Sequence, residues 1–166
     1  MTEIRPGIYQ LRIPIPNNPL GYTNSYLLRG DDGYLLIDTG VNTEEAFQSL
    51  TNQLAEIGID LKDIAQIAVT HAHGDHYGLA GRLRQLSRAK ISLHYLEKNL
   101  IAPRYTDADE TLRQTEQWYH SNGVPPNELP VSRLTFAGRQ MSATPTLPDV
   151  ILHGEEIIST TVFNLQ

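Results

Sequence analysis

Residues 70–78, which read Thr-His-Ala-His-Gly-Asp-His-Tyr-Gly, constrain this chain more than any other stretch. Three histidines and one aspartate fall close together there, and imidazole and carboxylate are groups with which proteins bind zinc and similar metals. Residues 64–70 read as a β-strand, and residues 77–88 read as an amphipathic helix. We therefore predict that the cluster lies on a loop where a strand leads into a helix, which is the edge at which α/β sheets bind ligands.

The spacing of the four polar side chains indicates two metal ions rather than one. His71 and His73 are two residues apart, so in an extended loop their side chains point the same way. Gly74 permits a sharp turn, after which Asp75 and His76 reach a second point. We therefore predict that His71 and His73 bind one metal and that Asp75 and His76 bind the other.

This His-x-His-x-Asp-His pattern resembles the signature of the metallo-β-lactamase-fold hydrolases. Residues 24–28, Asn-Ser-Tyr-Leu-Leu, and residues 34–40, Tyr-Leu-Leu-Ile-Asp-Thr-Gly, are similar to the opening strands of that family and to its Asp-Thr-Gly turn. The resemblance extends from Ile8 to the end of the chain. It implies an α/β fold that corresponds to the first half of a metallo-β-lactamase-like αββα sandwich, in which a mixed sheet carries helices on one face.

The resemblance also implies a chemistry, that of a zinc-dependent hydrolase with two metal ions, with iron or manganese as alternatives. Two adjacent metals lower the pKa of a water molecule, and the resulting hydroxide attacks an ester, thioester, lactone, lactam or phosphodiester. In the family, the residue at the position of Asp75 binds the second metal and helps to orient this nucleophile, so Asp75 is the candidate catalytic residue. Asp38 is either a residue near the metal site that orients the motif without binding the metal itself, or an aspartate that caps a turn by accepting from nearby backbone N–H groups. His73 favours the hydrolases, because di-iron flavoproteins of this fold generally have Glu there.

The family uses further metal ligands, a Gly-His, a bridging Asp and a last His, which do not occur in this chain before its end at Gln166. We therefore expect one domain over residues 1–166 that is incomplete at its C-terminus, the N-terminal half of a longer protein. The alternative is a catalytically inactive fragment or interaction module. In isolation we expect the chain to bind metal weakly, to be inactive and to self-associate through exposed sheet surface.

The composition of this chain limits the kinds of molecule that it is expected to bind. A formal net charge of −6 and a pI of about 5.4 argue against nucleic-acid binding, which needs concentrated Lys and Arg. There are no cysteines, so His, Asp or Glu must hold any metal. The N-terminus has no signal-peptide core, and no apolar run reaches the length that spans a membrane. We expect a small-molecule substrate, no membrane contact and a cytoplasmic location.

Three further segments carry functional hypotheses. Residues 95–140 are predicted to be a helical insertion that either packs on its own domain or acts as a substrate lid lined by Trp118, Tyr119 and His120. Residues 149–152 and 154–158 are predicted to form a hairpin or strand pair, with His153 in the turn between them. His94, at the end of a predicted strand over residues 90–94, is a strand-end polar residue or an additional metal ligand. No residue is predicted to bind the substrate.

Overall fold

The computed structural model describes residues 1–128, 143–156, 158–159 and 164–165. Within them, one mixed sheet contains seven strands in chain order: β1 Thr2–Arg5, β2 Ile8–Pro14, β3 Tyr22–Arg29, β4 Tyr34–Ile37, β5 Ile64–Ala68, β6 Lys90–His94 and β7 Val150–Leu152. Strands β1 to β4 pair antiparallel, and strands β4 to β7 pair parallel. Strands β8 Ile158–Ser159 and β9 Asn164–Leu165 pair separately. The predicted α/β class with a mixed sheet is confirmed.

In the described part of the chain, five α-helices connect or follow these strands: α1 Glu44–Ala55, α2 Gly74–Tyr77, α3 Ala80–Ser87, α4 Tyr95–Lys98 and α5 Ala108–Ser121. A π-helical turn, Ala102–Thr106, precedes α5, and short 3-10 turns span Leu61–Asp63 and Pro126–Glu128. Helix α1 begins after Thr43, because the Thr43 hydroxyl accepts a hydrogen bond from the Ala46 N–H at 3.2 Å and caps the helix. No helix among the described residues is long and apolar enough to cross a membrane.

The core is built on a row of apolar side chains that crosses the sheet. Leu27 lies opposite Leu36, Leu36 opposite Ile67, and Ile67 opposite Ile91, and all four are fully buried. Each such side chain stabilises the fold by about 1.5–3 kcal/mol relative to an exposed one. The helices α1 and α3 contribute fully or almost fully buried leucines to the same core: Leu50, Leu54 and Leu83.

The helix predicted over residues 77–88 is divided in the structure, and this corrects the placement of the motif. Helix α2 already begins at Gly74, so Asp75 and His76 lie on a helical turn rather than on a loop. The helix breaks because the Thr39 N–H donates to the His76 carbonyl at 2.7 Å, and the Leu79 N–H donates to the Gly40 carbonyl at 3.0 Å. The segment after β4 thus forms hydrogen bonds with a carbonyl and an N–H group that would otherwise pair within one continuous helix.

The hairpin or strand pair predicted for residues 149–152 and 154–158 is wrong in the described residues, because these two segments do not pair with each other. Strand β7 pairs in parallel with β6, and β8 pairs with β9. The reason lies at Asp149, whose carboxylate accepts from the Ile91 N–H at 2.9 Å and pairs with Arg84 at 2.7 Å. These contacts hold the start of β7 against β6. Farther on, the N–H groups of His153 and Gly154 both donate to the Glu156 carboxylate in the turn.

The predicted insertion is helical over much of its described part, which comprises α4, the π-helical turn and α5. The prediction over residues 129–140 falls outside the described residues, so only residues 95–128 of the insertion can be compared with the structure. Helix α5 packs mainly against the π-helical turn, and its Trp118 side chain is 61% exposed. The role of this segment as a lid stays a prediction.

Candidate metal centre

The four predicted metal ligands lie together at the carboxyl end of β5. The ring centroid of His71 is 4.7 Å from that of His73 and 4.1 Å from that of His76. The Oδ2 atom of Asp75 is 3.4 Å from Nε2 of His76. The sheet determines this position, because the carboxyl ends of its parallel strands meet at one edge. Asp38 follows β4 at that edge, the motif follows β5, and α4 follows β6.

Asp38 is the buried group on which this cluster rests. Its Oδ2 atom lies 2.7 Å from Nδ1 of His76, and its Oδ1 atom accepts from the Thr70 N–H at 2.8 Å. The Thr70 hydroxyl lies within 3.0 Å of Oδ1 and 2.8 Å of Oδ2. The backbone of Asp38 has a φ of 58°, an uncommon conformation for a residue with a side chain. Asp38 therefore accepts a backbone N–H, as a capping group does, and also holds a histidine ring.

These contacts determine which ring nitrogen each histidine exposes. The Thr70 hydroxyl has one proton, and its two contacts with Asp38 direct that proton to the carboxylate. The same oxygen then accepts from Nδ1–H of His71 at 3.0 Å. His76 likewise donates Nδ1–H to Asp38. Both rings are left with an Nε2 lone pair, the state in which a histidine binds a metal while its other nitrogen is fixed by a hydrogen bond.

The surroundings of His76 and His73 shift the pKa values of the two side chains in opposite directions. The hydrogen bond to Asp38 raises the pKa of His76 above its usual 6.5, and burial opposes this rise. Burial lowers the pKa of His73, and the positive charge of Arg104 lowers it further. His73 therefore favours the neutral form that a metal ligand needs. His76 is protonated in a larger fraction of molecules than an ordinary histidine at the same pH, so metal binding there more often requires the release of a proton.

Two side chains from the segment after β6 hold the loop between His71 and His73. The Ala72 N–H donates to the Glu97 carboxylate at 2.8 Å, and the Tyr105 hydroxyl donates to the Ala72 carbonyl at 2.6 Å. Sequence analysis missed Thr70, Glu97 and Tyr105 as supporting residues. Thr70 adjoins the motif, and Glu97 closely follows the carboxyl end of β6. Their places in the sequence, next to the strand ends that meet at this edge of the sheet, could therefore have identified both. No sequence signal pointed to Tyr105.

The donor chemistry of the cluster fits a zinc-type metal, but the number of ligands is small. Imidazole nitrogen and carboxylate oxygen are suitable donors for zinc. Among the described residues, however, no group of three or more His, Asp or Glu side chains is arranged to hold an ion. His94 instead caps α4, where its Nδ1 accepts from the Leu96 N–H at 3.4 Å, and the His153 ring stacks on Tyr95 with centroids 5.1 Å apart.

Comparisons with known proteins match this chain to metal-dependent hydrolases and to the profile of one superfamily. The profile of the metallo-beta-lactamase superfamily matches residues 18–161. A probable metallo-hydrolase, YqjP, from Bacillus subtilis is 43% identical over 147 residues, which cover 89% of this chain and 45% of that protein. A ribonuclease Z from Streptomyces avermitilis is 36% identical over 110 residues, which cover 61% of this chain and 34% of that protein.

A solved structure supports the same relationship. The crystal structure of a metallo-beta-lactamase family protein from Thermus thermophilus matches with a TM-score of 0.79 and 29% identity, covering 99% of this chain and 52% of that one. The chain thus spans about half the length of the Bacillus and Thermus relatives. Since the family profile matches most of its length, the chain belongs to the metallo-beta-lactamase superfamily.

Proposed function

We propose that this chain supplies part of the active site of a zinc-dependent, dinuclear hydrolase. His71 and His73 would hold one ion, and Asp75 and His76 would hold the second. The remaining ligands would come from outside the described residues. The observation that carries the proposal is the anchoring of Nδ1 on both His71 and His76, at 3.0 and 2.7 Å, which leaves both Nε2 atoms available. Iron and manganese accept the same donors and are the alternatives.

Each residue of the chain has a distinct task in this proposal. When bound, two such ions lower the pKa of a water molecule and polarise the carbonyl or phosphoryl oxygen of a substrate. Asp38 orients His76 directly and His71 through the Thr70 hydroxyl. Asp75, whose side chain is 33% exposed and lies beside His76, is the candidate catalytic carboxylate. Glu97 and Tyr105 keep the loop that carries His71 and His73 in place.

The proposed substrate is a small molecule with an ester, thioester, lactone or lactam bond. The net charge of −6 favours such a substrate over a nucleic acid. Similarity to a protein named ribonuclease Z keeps phosphodiesters among the reaction classes. A cytoplasmic location without membrane contact remains part of the proposal. The alternative is an inactive fragment or interaction module, and metal binding by the whole protein distinguishes the two.

The test measures metal content and hydrolysis together in the whole protein. After dialysis we expect two zinc ions per chain and turnover of at least one ester, thioester, lactone, lactam or phosphodiester. The variants His71→Ala, His73→Ala, Asp75→Ala and His76→Ala should each lower metal affinity and activity by more than the roughly 10–100-fold that loss of a supporting group costs. His153→Ala is the matched control, because this exposed histidine lies outside the cluster.

Two results would contradict the proposal. One is metal retention that does not change when the four motif residues are replaced. The other is loss of metal in His153→Ala equal to that in the motif variants, which would place a ligand elsewhere. The 166-residue chain tested alone adds a separate comparison. With two protein ligands per ion it should bind metal weakly and lack turnover, because catalytic zinc sites usually have three protein ligands.

A further inference from the structure

Arg104, in the π-helical turn, has an unusual environment for an arginine in this chain. Its Nε atom is buried and has no hydrogen-bond partner among the described residues. No described carboxylate lies within ion-pair distance of its guanidinium group. Other arginines are paired: Arg82 contacts Glu44 at 2.8 Å, and Arg84 contacts Asp149 at 2.7 Å. A partly buried cation without a partner is costly, so it calls for an explanation.

The position of Arg104 follows from the contacts of its neighbour. Tyr105 donates its hydroxyl to the Ala72 carbonyl at 2.6 Å, and its ring packs 5.5 Å from the ring of Tyr77. These contacts hold the π-helical turn against the loop that carries the candidate ligands. Arg104 directly precedes Tyr105 in this turn and its Nε atom is buried, so the residue lies beside the loop between His71 and His73 and not on a remote surface.

The acidic side chains near the cluster already have other partners. Asp38 is occupied by Thr70 and His76, and Glu97 accepts from the Ala72 N–H. Asp75 lies against His76. Bound metal ions would add positive charge at this place and make an unpaired cation less favourable still. An anion that enters from solvent would relieve this imbalance, and the planar fork of a guanidinium group suits carboxylate and phosphate oxygens.

We propose that Arg104 binds an oxyanion of the substrate, a carboxylate or a phosphate oxygen, beside the metal cluster. The residue thereby selects anionic substrates over neutral ones that contain the same scissile bond. This inference rests on the proposed hydrolase function and narrows its substrate class. Arg104 is a substrate-binding residue in this account and takes no part in bond cleavage.

The kinetic test compares Arg104→Gln with wild type in the whole, metal-loaded protein. Three substrates are used: neutral para-nitrophenyl butyrate, the para-nitrophenyl monoester of succinate, and bis(para-nitrophenyl) phosphate. We expect kcat/KM to fall about 10- to 100-fold for the anionic substrate that the enzyme accepts, mainly through KM, because a hydrogen bond to a charged group is lost. Turnover of the neutral ester and the metal content should stay unchanged. The two anionic substrates separate carboxylate from phosphate recognition.

Two variants provide controls. Lys98→Gln removes the same charge from helix α4 and should leave every rate unchanged, because in the described part of the chain Glu97, and not Lys98, makes the hydrogen bond from this helix to the motif loop. Arg104→Lys keeps the charge but loses the fork, so its kcat/KM for the anionic substrate should lie between those of wild type and Arg104→Gln. An equal fall of kcat/KM for neutral and anionic substrates in Arg104→Gln would overturn the proposal, since it would show a structural role.

A binding test separates this inference from the hydrolase proposal. Inorganic phosphate is titrated into chelator-treated, metal-free protein and followed by calorimetry. Wild type and Lys98→Gln should bind it with equal affinity, and Arg104→Gln should bind it at least about 10-fold more weakly. Equal affinity in wild type and Arg104→Gln, including no binding in either, would overturn the inference. If the metal-loaded wild type hydrolyses no substrate, the hydrolase proposal fails and this phosphate comparison still decides the role of Arg104.

Discussion

Replacement of Asp38 by asparagine tests the support of the metal centre most directly. The side chain keeps its size, but one carboxylate oxygen becomes an NH2 group. In the structure the carboxylate, 5% exposed, accepts from the Thr70 N–H, the Thr70 hydroxyl and Nδ1–H of His76. An amide cannot accept at both atoms, so one buried donor loses its acceptor. A hydrogen bond to a charged group contributes about 1.5–3 kcal/mol, so we expect Asp38→Asn to lower the free energy of unfolding by about 2–4 kcal/mol.

The cost of Asp38→Asn should also depend on pH, with a definite sign. Asp38 raises the pKa of His76 above 6.5, so the folded state binds this proton more tightly than the unfolded state does. The stabilisation is therefore fully present below 6.5 and is lost as the pH rises through the raised pKa. The difference in unfolding free energy between wild type and Asp38→Asn should be larger in mildly acidic than in mildly alkaline solution.

Urea unfolding of the metal-free protein, followed by circular dichroism on both sides of this pH range, measures the effect. Asp75→Asn is the matched control, because Asp75 is partly exposed and its contact with His76 is 3.4 Å long. It should cost less than about 1 kcal/mol in stability. Metal affinity should fall roughly 10–100-fold in Asp38→Asn, since the substitution permits the wrong His76 tautomer. Equal destabilisation by the two variants, or a cost for Asp38→Asn that grows with pH, would refute the reasoning.

Four further predictions concern other parts of the fold. Thr70→Val should lower metal affinity about 10-fold and Thr70→Ser should restore it, as measured by competition with a chelator, because only a hydroxyl can fix His71; equal affinities would argue against this relay. Tyr105→Phe should lower the unfolding free energy by about 1–2 kcal/mol in urea, because the Ala72 carbonyl loses its donor. Gly40→Ala should lower the thermal midpoint, with a cost above about 2 kcal/mol, since φ is +88° and the new Cβ would clash with the Ile13 side chain. The 166-residue chain alone should self-associate in sedimentation experiments, and a compact monomer that binds no hydrophobic dye would contradict this.

Local patterns in the sequence predicted much of the fold. The strand predicted over residues 64–70 forms as β5 over Ile64–Ala68, and the strand predicted over residues 90–94 forms as β6. Both patterns depend only on neighbouring residues. The cluster of His71, His73, Asp75 and His76 was also readable, because its residues are close in the chain. Their roles as ligands stay predictions.

Features that depend on distant residues could not be predicted in the same way. The break before α3 depends on the carbonyl of Gly40, which is far from Leu79 in sequence. The parallel pairing of β7 depends on Asp149 reaching Ile91. The hydrogen bond from Tyr105 to Ala72 likewise joins residues with no pattern in common. Each of these contacts is tertiary and leaves no periodicity in the local sequence.

The contacts of Asp38 have a consequence for how the metal site is assembled during folding. Every candidate ligand of the motif lies within residues 71–76, yet the carboxylate that orients them is 32 residues from Thr70 and 38 residues from His76. A synthetic peptide of residues 70–78 would contain all four donors and none of this support. Its metal affinity should therefore be far below that of the folded protein, since the rings must be ordered at the moment of binding. The site exists only once β4 and β5 have paired, so metal capture reports a non-local step of folding.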